Sequence, residues 1–218
     1  NGRSRGLGDV YKRQVYLGPQ AGYKQKRGGC NVAIGCGALH GHQDNEYSLH
    51  NVVALGVHAG YSASSANHSV FIGSGAGCKV TTGGSNIALG NGALRCTTTG
   101  SGNVAIKGGQ CITTGNDNVV LGSSSGGQIG SCGCNVFMGY LAGHIGGSSH
   151  NVAIGNRAGN SLGGSLGGSD SGGRGGGNIL FGQCAGYCLR CGGQNFFAGF
   201  MAGGCSLETI CTIAIGRQ

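Results

Sequence analysis

The sequence predicts an all-β fold, a parallel β-solenoid of about twelve coils of about 17 residues each. Three observations predict it. A short phrase recurs: Asn-Val-Ala-Ile-Gly at 31–35, Asn-Ile-Ala-Leu-Gly at 86–90, Asn-Val-Phe-Met-Gly at 135–139, and Asn-Val-Ala-Ile-Gly again at 151–155. The glycine that closes the phrase returns at a nearly fixed interval. The 218 residues include 52 Gly and 1 Pro, and the glycines fall in register with the phrase, which argues against a disordered low-complexity chain.

The closing residues are Gly18, Gly35, Gly56, Gly73, Gly90, Lys107, Gly122, Gly139, Gly155, Gly182, Gly199 and Gly216. Their spacings are 17, 21, 17, 17, 17, 15, 17, 16, 27, 17 and 17 residues. A helix-pair repeat needs roughly 33 residues and a propeller blade roughly 40, so both are too long for this period. Short strands joined by tight turns fit it.

The phrase reads as a strand. Val32 and Ile34 share one face by the two-residue period, and Val70 with Ile72, Val136 with Met138, and Val152 with Ile154 repeat that face. The residue between them is apolar too, as in Ala33, Phe71, Phe137 and Phe197, so the strand is expected to be covered on both faces. After the closing glycine comes x-x-Ala-Gly, as in Ala76-Gly77 and Ala142-Gly143; small residues there let backbones approach and supply turn dihedrals. Lys107 takes the glycine's place in one copy and is expected to distort its coil, because lysine resists positive φ. Asparagine opens the phrase at 31, 86, 103, 118, 135, 151, 178 and 195, and a stacked column of these would bond side chain to side chain or to the turn backbone.

Over residues 14–218 the Asn-x-Ala-Ile-Gly-x-x-Ala-Gly phrase resembles the head repeats of YadA-like trimeric autotransporter adhesins and the related Ala-Ile-Gly repeats of bacterial surface proteins and phage tail fibres. The resemblance implies a narrow left-handed β-roll, three of which associate through the apolar face of the phrase strand. It implies an extracellular homotrimer on a cell surface or virion fibre. Val32, Ile34, Val70, Ile72, Val136, Met138, Val152 and Ile154 would then form the oligomer face. A thin coil of glycine and alanine cannot hide both faces of its strand by itself, which argues the same way from the residues. The host ligand, protein or glycan, stays open. Membrane attachment would come only through an anchor region outside this stretch.

Residues 1–14 lack repeat character and resemble a translated adaptor scar, so the array is expected over 15–218, as a fragment. Within it two intervals are long. The stretch 40–50, His-Gly-His-Gln-Asp-Asn-Glu-Tyr-Ser-Leu-His, is polar, whereas 160–177 is a Gly/Ser-rich excursion. Insertions in a solenoid become loops on one side, often the binding side, so the first is the better recognition candidate, through His40, His42, Gln43, Asp44, Glu46 and Tyr47. A second function class rests on the Thr-Thr pairs Thr81 and Thr82, Thr98 and Thr99, Thr113 and Thr114, which share columns in three coils and would suit an ice- or crystal-surface binder.

Other classes find little support. The net charge is +8, but residues 1–14 contribute +3 and Lys24, Lys26 and Arg27 another +3, leaving +2 over the rest; there is no basic stripe for nucleic acid. Gly-Ser-Ser-Ser-Gly at 122–126 matches a nucleophile-elbow pattern, without the strand-turn-helix setting or the partner acid and base. The six acids are scattered singly, unsuited to acid–base pairing. No catalytic residue, cofactor or metal site is therefore assigned, and the histidines around 40–68 are expected to face solvent. The 12 cysteines fall in mixed columns, which suits scattered thiols; Cys188 and Cys205 share a column in adjacent coils, within disulfide reach.

Overall fold

The computed structural model describes residues 13–25, 27–41, 48–162, 176–189, 192–204 and 209–217. The chain resolves into two compact units, Asn1–Gly102 and Asn103–Gln218, each a parallel β-solenoid. The described residues of both are all-β, without helix. In the first unit the phrase strands are Val15–Leu17, Val32–Ile34, Val53–Leu55, Val70–Ile72 and Ile87–Leu89. Each pairs in parallel with the next copy in phrase register, Val32 opposite Val53 and Val53 opposite Val70. The second unit stacks Val104–Ile106, Val119–Leu121, Val136–Met138, Val152–Ile154, Ile179–Phe181, Phe196–Ala198 and Ile213–Ile215 in the same way. The long interval between Gly155 and Gly182 leaves this register intact, with Val152 opposite Ile179. An insertion can therefore leave the stack without shifting it.

The two faces of each strand have different fates. The middle residue points into its own coil, so that Ala33, Phe71, Ala105, Phe137 and Phe197 are fully buried. The flanking residues point out: Ile34 and Ile72 are each 38% exposed and Ile106 is 41% exposed. Within the chain, then, the strand is covered on one face only.

In several coils the interior is filled by compensation between two positions. Where the middle residue is large, the position four after the closing glycine is glycine. A methyl group on Gly143 would stand 2.6 Å from the Phe137 ring, and one on Gly186 would stand 2.9 Å from Leu180. Gly77 and Gly203 lie likewise against Phe71 and Phe197. Where the middle residue is alanine there are two solutions: Ala33 and Ala88 face Leu39 and Leu94, both fully buried, whereas Ala54 and Ala153 face Gly60 and Gly159, which lie against side chains of neighbouring coils, Phe71 and Leu180. A narrow coil has room for at most one bulky side chain at this pair, and where it has none, side chains of neighbouring coils keep the interior close-packed.

Positive φ is required in two distinct ways. The closing glycines hold φ from 114° at Gly90 to 140° at Gly155, a region that side chains bearing a β-carbon avoid. They also stack on one another: a methyl group on Gly73 would come within 2.6 Å of the Gly90 carbonyl. The residue before the phrase asparagine, or before Ser69 in its place, is by contrast ordinary left-handed αL, and Cys30, His68, Asp117, Cys134 and Gln194 occupy it with φ of 56–59°. A non-glycine residue pays about 1–2 kcal/mol for that conformation.

Lys107 falls between these cases. It takes φ 57°, left-handed but outside the glycine range of its column, and it is exposed. The turn that follows is shortened, the next closing glycine coming 15 residues later, yet Val104–Ile106 still pairs with Val119–Leu121 in register. The expected distortion is therefore confined to the turn. Sequence reading missed two short ladders away from the phrase strands, Arg27–Gly29 with Ser48–His50 and Ile145–Gly146 with Ser161–Leu162.

Candidate functional site

The surface that these elements build most consistently is an outward apolar stripe backed by a buried asparagine column. In the second unit the column is unbroken from Asn103 to Asn195. Asn118 donates from Nδ2 to Asn103 Oδ1 at 2.9 Å and to the Cys132 carbonyl at 3.0 Å. The first bond reaches the preceding coil and the second reaches the following one. Asn178 does the same with Asn151 Oδ1 and the Gly192 carbonyl, each at 3.0 Å. Each amide thus clamps three coils, and all these side chains are buried. In the first unit Val52 and Ser69 interrupt the column. The Val52 backbone N–H donates to Asn31 Oδ1 at 3.0 Å, and the Asn86 N–H donates to Ser69 Oγ at 3.1 Å.

Because the clamp satisfies the polar interior, the flanking apolar residues are left as the unpartnered face. Val32, Val70, Val136, Met138, Val152 and Ile154 are half-buried, and Ile34 and Ile72 are exposed. Ile87, Ile179 and Phe181 extend the same columns, each 37–39% exposed. Within each unit, stacked pairs of this kind in successive coils make a continuous outward apolar stripe, the kind of contiguous apolar surface that marks an association face.

The proposed recognition loop is only partly described. His42, Gln43, Asp44, Glu46 and Tyr47 lie outside the described residues, as does most of the 160–177 excursion. His40 corrects the expectation of a solvent-facing loop histidine: it is 8% exposed. Its ring is sandwiched between Tyr23, at 5.3 Å and 25°, and Tyr61, at 4.6 Å and 10°. All three residues stand five places after their closing glycines, so coil stacking itself aligns the rings. Nδ1 lies 3.0 Å from the Gly41 carbonyl oxygen. His58 packs edge-on against Tyr61 at 5.1 Å and, like His50 and His68, is exposed. The aromatic column was missed in the sequence because Tyr23, His40 and Tyr61 lie 17 and 21 residues apart and share no residue type.

Of the threonine pairs, Thr82, Thr99 and Thr114 are exposed, and Thr81, Thr98 and Thr113 are half-buried. The Thr81 hydroxyl donates to the Thr98 carbonyl at 3.1 Å, so it joins coils instead of facing outward. The serines of 122–126 are also used structurally. Ser125 stands in the alanine position, fully buried, and its Oγ donates to the Phe137 and Ala142 carbonyls at 3.2 and 3.1 Å. Ser124 is a turn residue with φ 55°, and His144 Nδ1 lies 2.8 Å from its carbonyl oxygen rather than on its hydroxyl.

Among the described residues no group of three or more His, Cys, Asp or Glu is placed to hold a metal, and no helix is long and apolar enough to cross a membrane. Cys188 is half-buried with its N–H on the Gly204 carbonyl at 3.0 Å, but its column partner Cys205 lies outside the described residues. Comparison with protein-family models, with curated proteins and with solved structures finds no match to this chain.

Proposed function

We propose that the chain is a structural and adhesive segment, the shaft or head of a cell-surface adhesin or phage tail fibre, displayed outside the cell and assembled as a homotrimer. The observation that carries this reading is the apolar stripe of Ile34, Ile72 and their counterparts, left outward by coils whose polar interior is already satisfied. A closed threefold assembly buries such a stripe on every copy and leaves none to drive open-ended association. The resemblance of the phrase to trimeric adhesin heads agrees. Binding to a host-surface or matrix ligand, protein or glycan, would come from many weak contacts repeated along and around the trimer rather than from one pocket.

Sedimentation of the repeat region with both insertions retained tests the assembly. A trimer is expected, and Ile34→Asp combined with Ile72→Asp shifts it toward monomer while the β-rich circular dichroism is kept. A well-behaved monomer at high concentration overturns the reading. The alternative, ice- or crystal-surface binding through the threonine pairs, has one exposed threonine per coil to draw on at Thr82, Thr99 and Thr114. Thermal hysteresis lost in Thr82→Ala with Thr99→Ala would replace the adhesive reading by this one.

A further inference from the structure

We propose that Cys78 and Cys96 form a redox modification site, a disulfide that joins two successive coils of the Asn1–Gly102 unit and is made by exchange with a small-molecule disulfide such as oxidised glutathione. Cys78 stands five residues after Gly73, and Cys96 stands six after Gly90. The Cys78 thiol donates to the carbonyl oxygen of Arg95 at 3.6 Å, and that carbonyl is bonded to the nitrogen of Cys96. Peptide geometry places the Cys96 Cα about 2.8 Å from this oxygen, so the Cys78 sulfur is within about 6.4 Å of it.

The backbones cannot drift apart here, because hydrogen bonds fix them on both sides. The Gly77 N–H donates to the Ala93 carbonyl at 2.9 Å, and the Thr81 N–H and hydroxyl donate to the Thr98 carbonyl at 2.9 and 3.1 Å. A coil spacing of about 4.8 Å combined with a one-residue diagonal gives Cα atoms about 6 Å apart, inside the range that a disulfide spans. Both thiols are half-buried, reachable by a small disulfide yet held close to the coil. Burial holds the Cys78 thiol above its ordinary pKa, while the charges of Arg95 and Lys79 act in the opposite sense and favour the thiolate that exchange requires.

The chemistry balances in two exchanges. One thiolate of the pair attacks a sulfur of oxidised glutathione, forming a mixed disulfide and expelling one glutathione thiolate. The second thiolate attacks the protein sulfur of that mixed disulfide, closing the Cys78–Cys96 bond and expelling the other glutathione. Two protein thiols are oxidised, and one glutathione disulfide is reduced to two thiols. The site is independent of the association reading, since both cysteines belong to one chain and neither lies on the apolar stripe.

Peptide mapping of the full chain tests it. After oxidation with oxidised glutathione and alkylation of the remaining thiols, digestion with trypsin and chymotrypsin should release peptide 72–79 linked to peptide 96–107, each containing a single cysteine. Recovery of the two peptides only as separate glutathionylated or alkylated species overturns the proposal. A second readout is the melting temperature, which should fall by about 5 °C when the oxidised chain is reduced. That shift should vanish in Cys78→Ser and survive in Cys30→Ser. A shift that persists in Cys78→Ser assigns the redox effect to other cysteines and overturns the assignment.

Discussion

The side-chain oxygen of Asn118 accepts two hydrogen bonds from Asn135, one from its backbone N–H at 3.1 Å and one from its Nδ2 at 3.0 Å. Asn135 Oδ1 then receives the same pair from Asn151, at 3.0 and 3.2 Å. Every member is therefore donor to one coil and acceptor for the next. Removing one amide strands polar groups of its neighbours in a buried column where water has little access. Asn135→Ala is expected to lower stability by about 2–4 kcal/mol, read as a shift in the urea midpoint. A loss under about 0.5 kcal/mol would mean that water replaces the amide.

The pairing of Phe71 with Gly77 makes a coupling prediction. Phe71→Ala alone should cost about 3–5 kcal/mol through the cavity it leaves. Gly77→Leu alone should also be strongly destabilising, since its new side chain meets the Phe71 ring. Combined, they rebuild the arrangement of Ala88 with Leu94, in which Leu94 holds φ 51°. The double variant should lie at least about 2 kcal/mol above the sum of the singles in a double-mutant cycle. Additive losses would show that the filling is not exchangeable between coils.

Gly73 and Gly75 separate the two glycine requirements. Alanine at Gly75 meets nothing within 4 Å and needs only φ +66°, so it should cost about 1 kcal/mol. Alanine at Gly73 must adopt φ +124° and presses on the Gly90 carbonyl, and it should cost about 3 kcal/mol or more. Equal losses, measured by thermal unfolding, would count against the stacked-glycine account.

Lys107 gives the converse case. Its φ of 57° is available to glycine without strain, so Lys107→Gly should raise stability by about 0.5–1 kcal/mol. A decrease would indicate that the lysine side chain contributes to its turn.

Burial raises the Cys78 thiol above its ordinary pKa, opposed by Arg95 and Lys79 and reinforced by Cys96. A raised folded pKa means that the native state holds its proton more tightly than the unfolded chain does. Its contribution is therefore present below the unfolded thiol pKa and lost as pH rises through the folded one. Stability of the reduced chain should decline in that alkaline window, and less steeply in Cys78→Ser. An identical slope in the two proteins would remove Cys78 from the account.

Much of the fold was legible because the solenoid translates sequence period directly into space. A return every 17 residues places Val32 beside Val53 and Val70 in one ladder, and the alternation of apolar residues shows that the strand has two apolar faces. The asparagine column followed from the same period, since like residues must stack when coils stack. What period cannot reveal is which face of a strand turns inward. Ala33 and Ile34 are both apolar; only the closed coil, with room for one side chain, buries the first and leaves the second outward.

Glycine content likewise announced tight turns, but the separation of indispensable glycines from replaceable left-handed positions depended on whether the next coil's carbonyl stood above the β-carbon. Gly73 meets such a carbonyl, whereas the preceding His68 takes an αL conformation open to non-glycine residues at modest cost. The column of Tyr23, His40 and Tyr61 and the approach of Cys78 to the residue before Cys96 were decided by tertiary stacking alone. They join unlike residues from different coils, and no repeated residue type marks them in the sequence. The repeat, the strand and the polar column are properties of the sequence period; the outward face and the side-chain neighbours arise only when coils of a definite width close and settle one upon another.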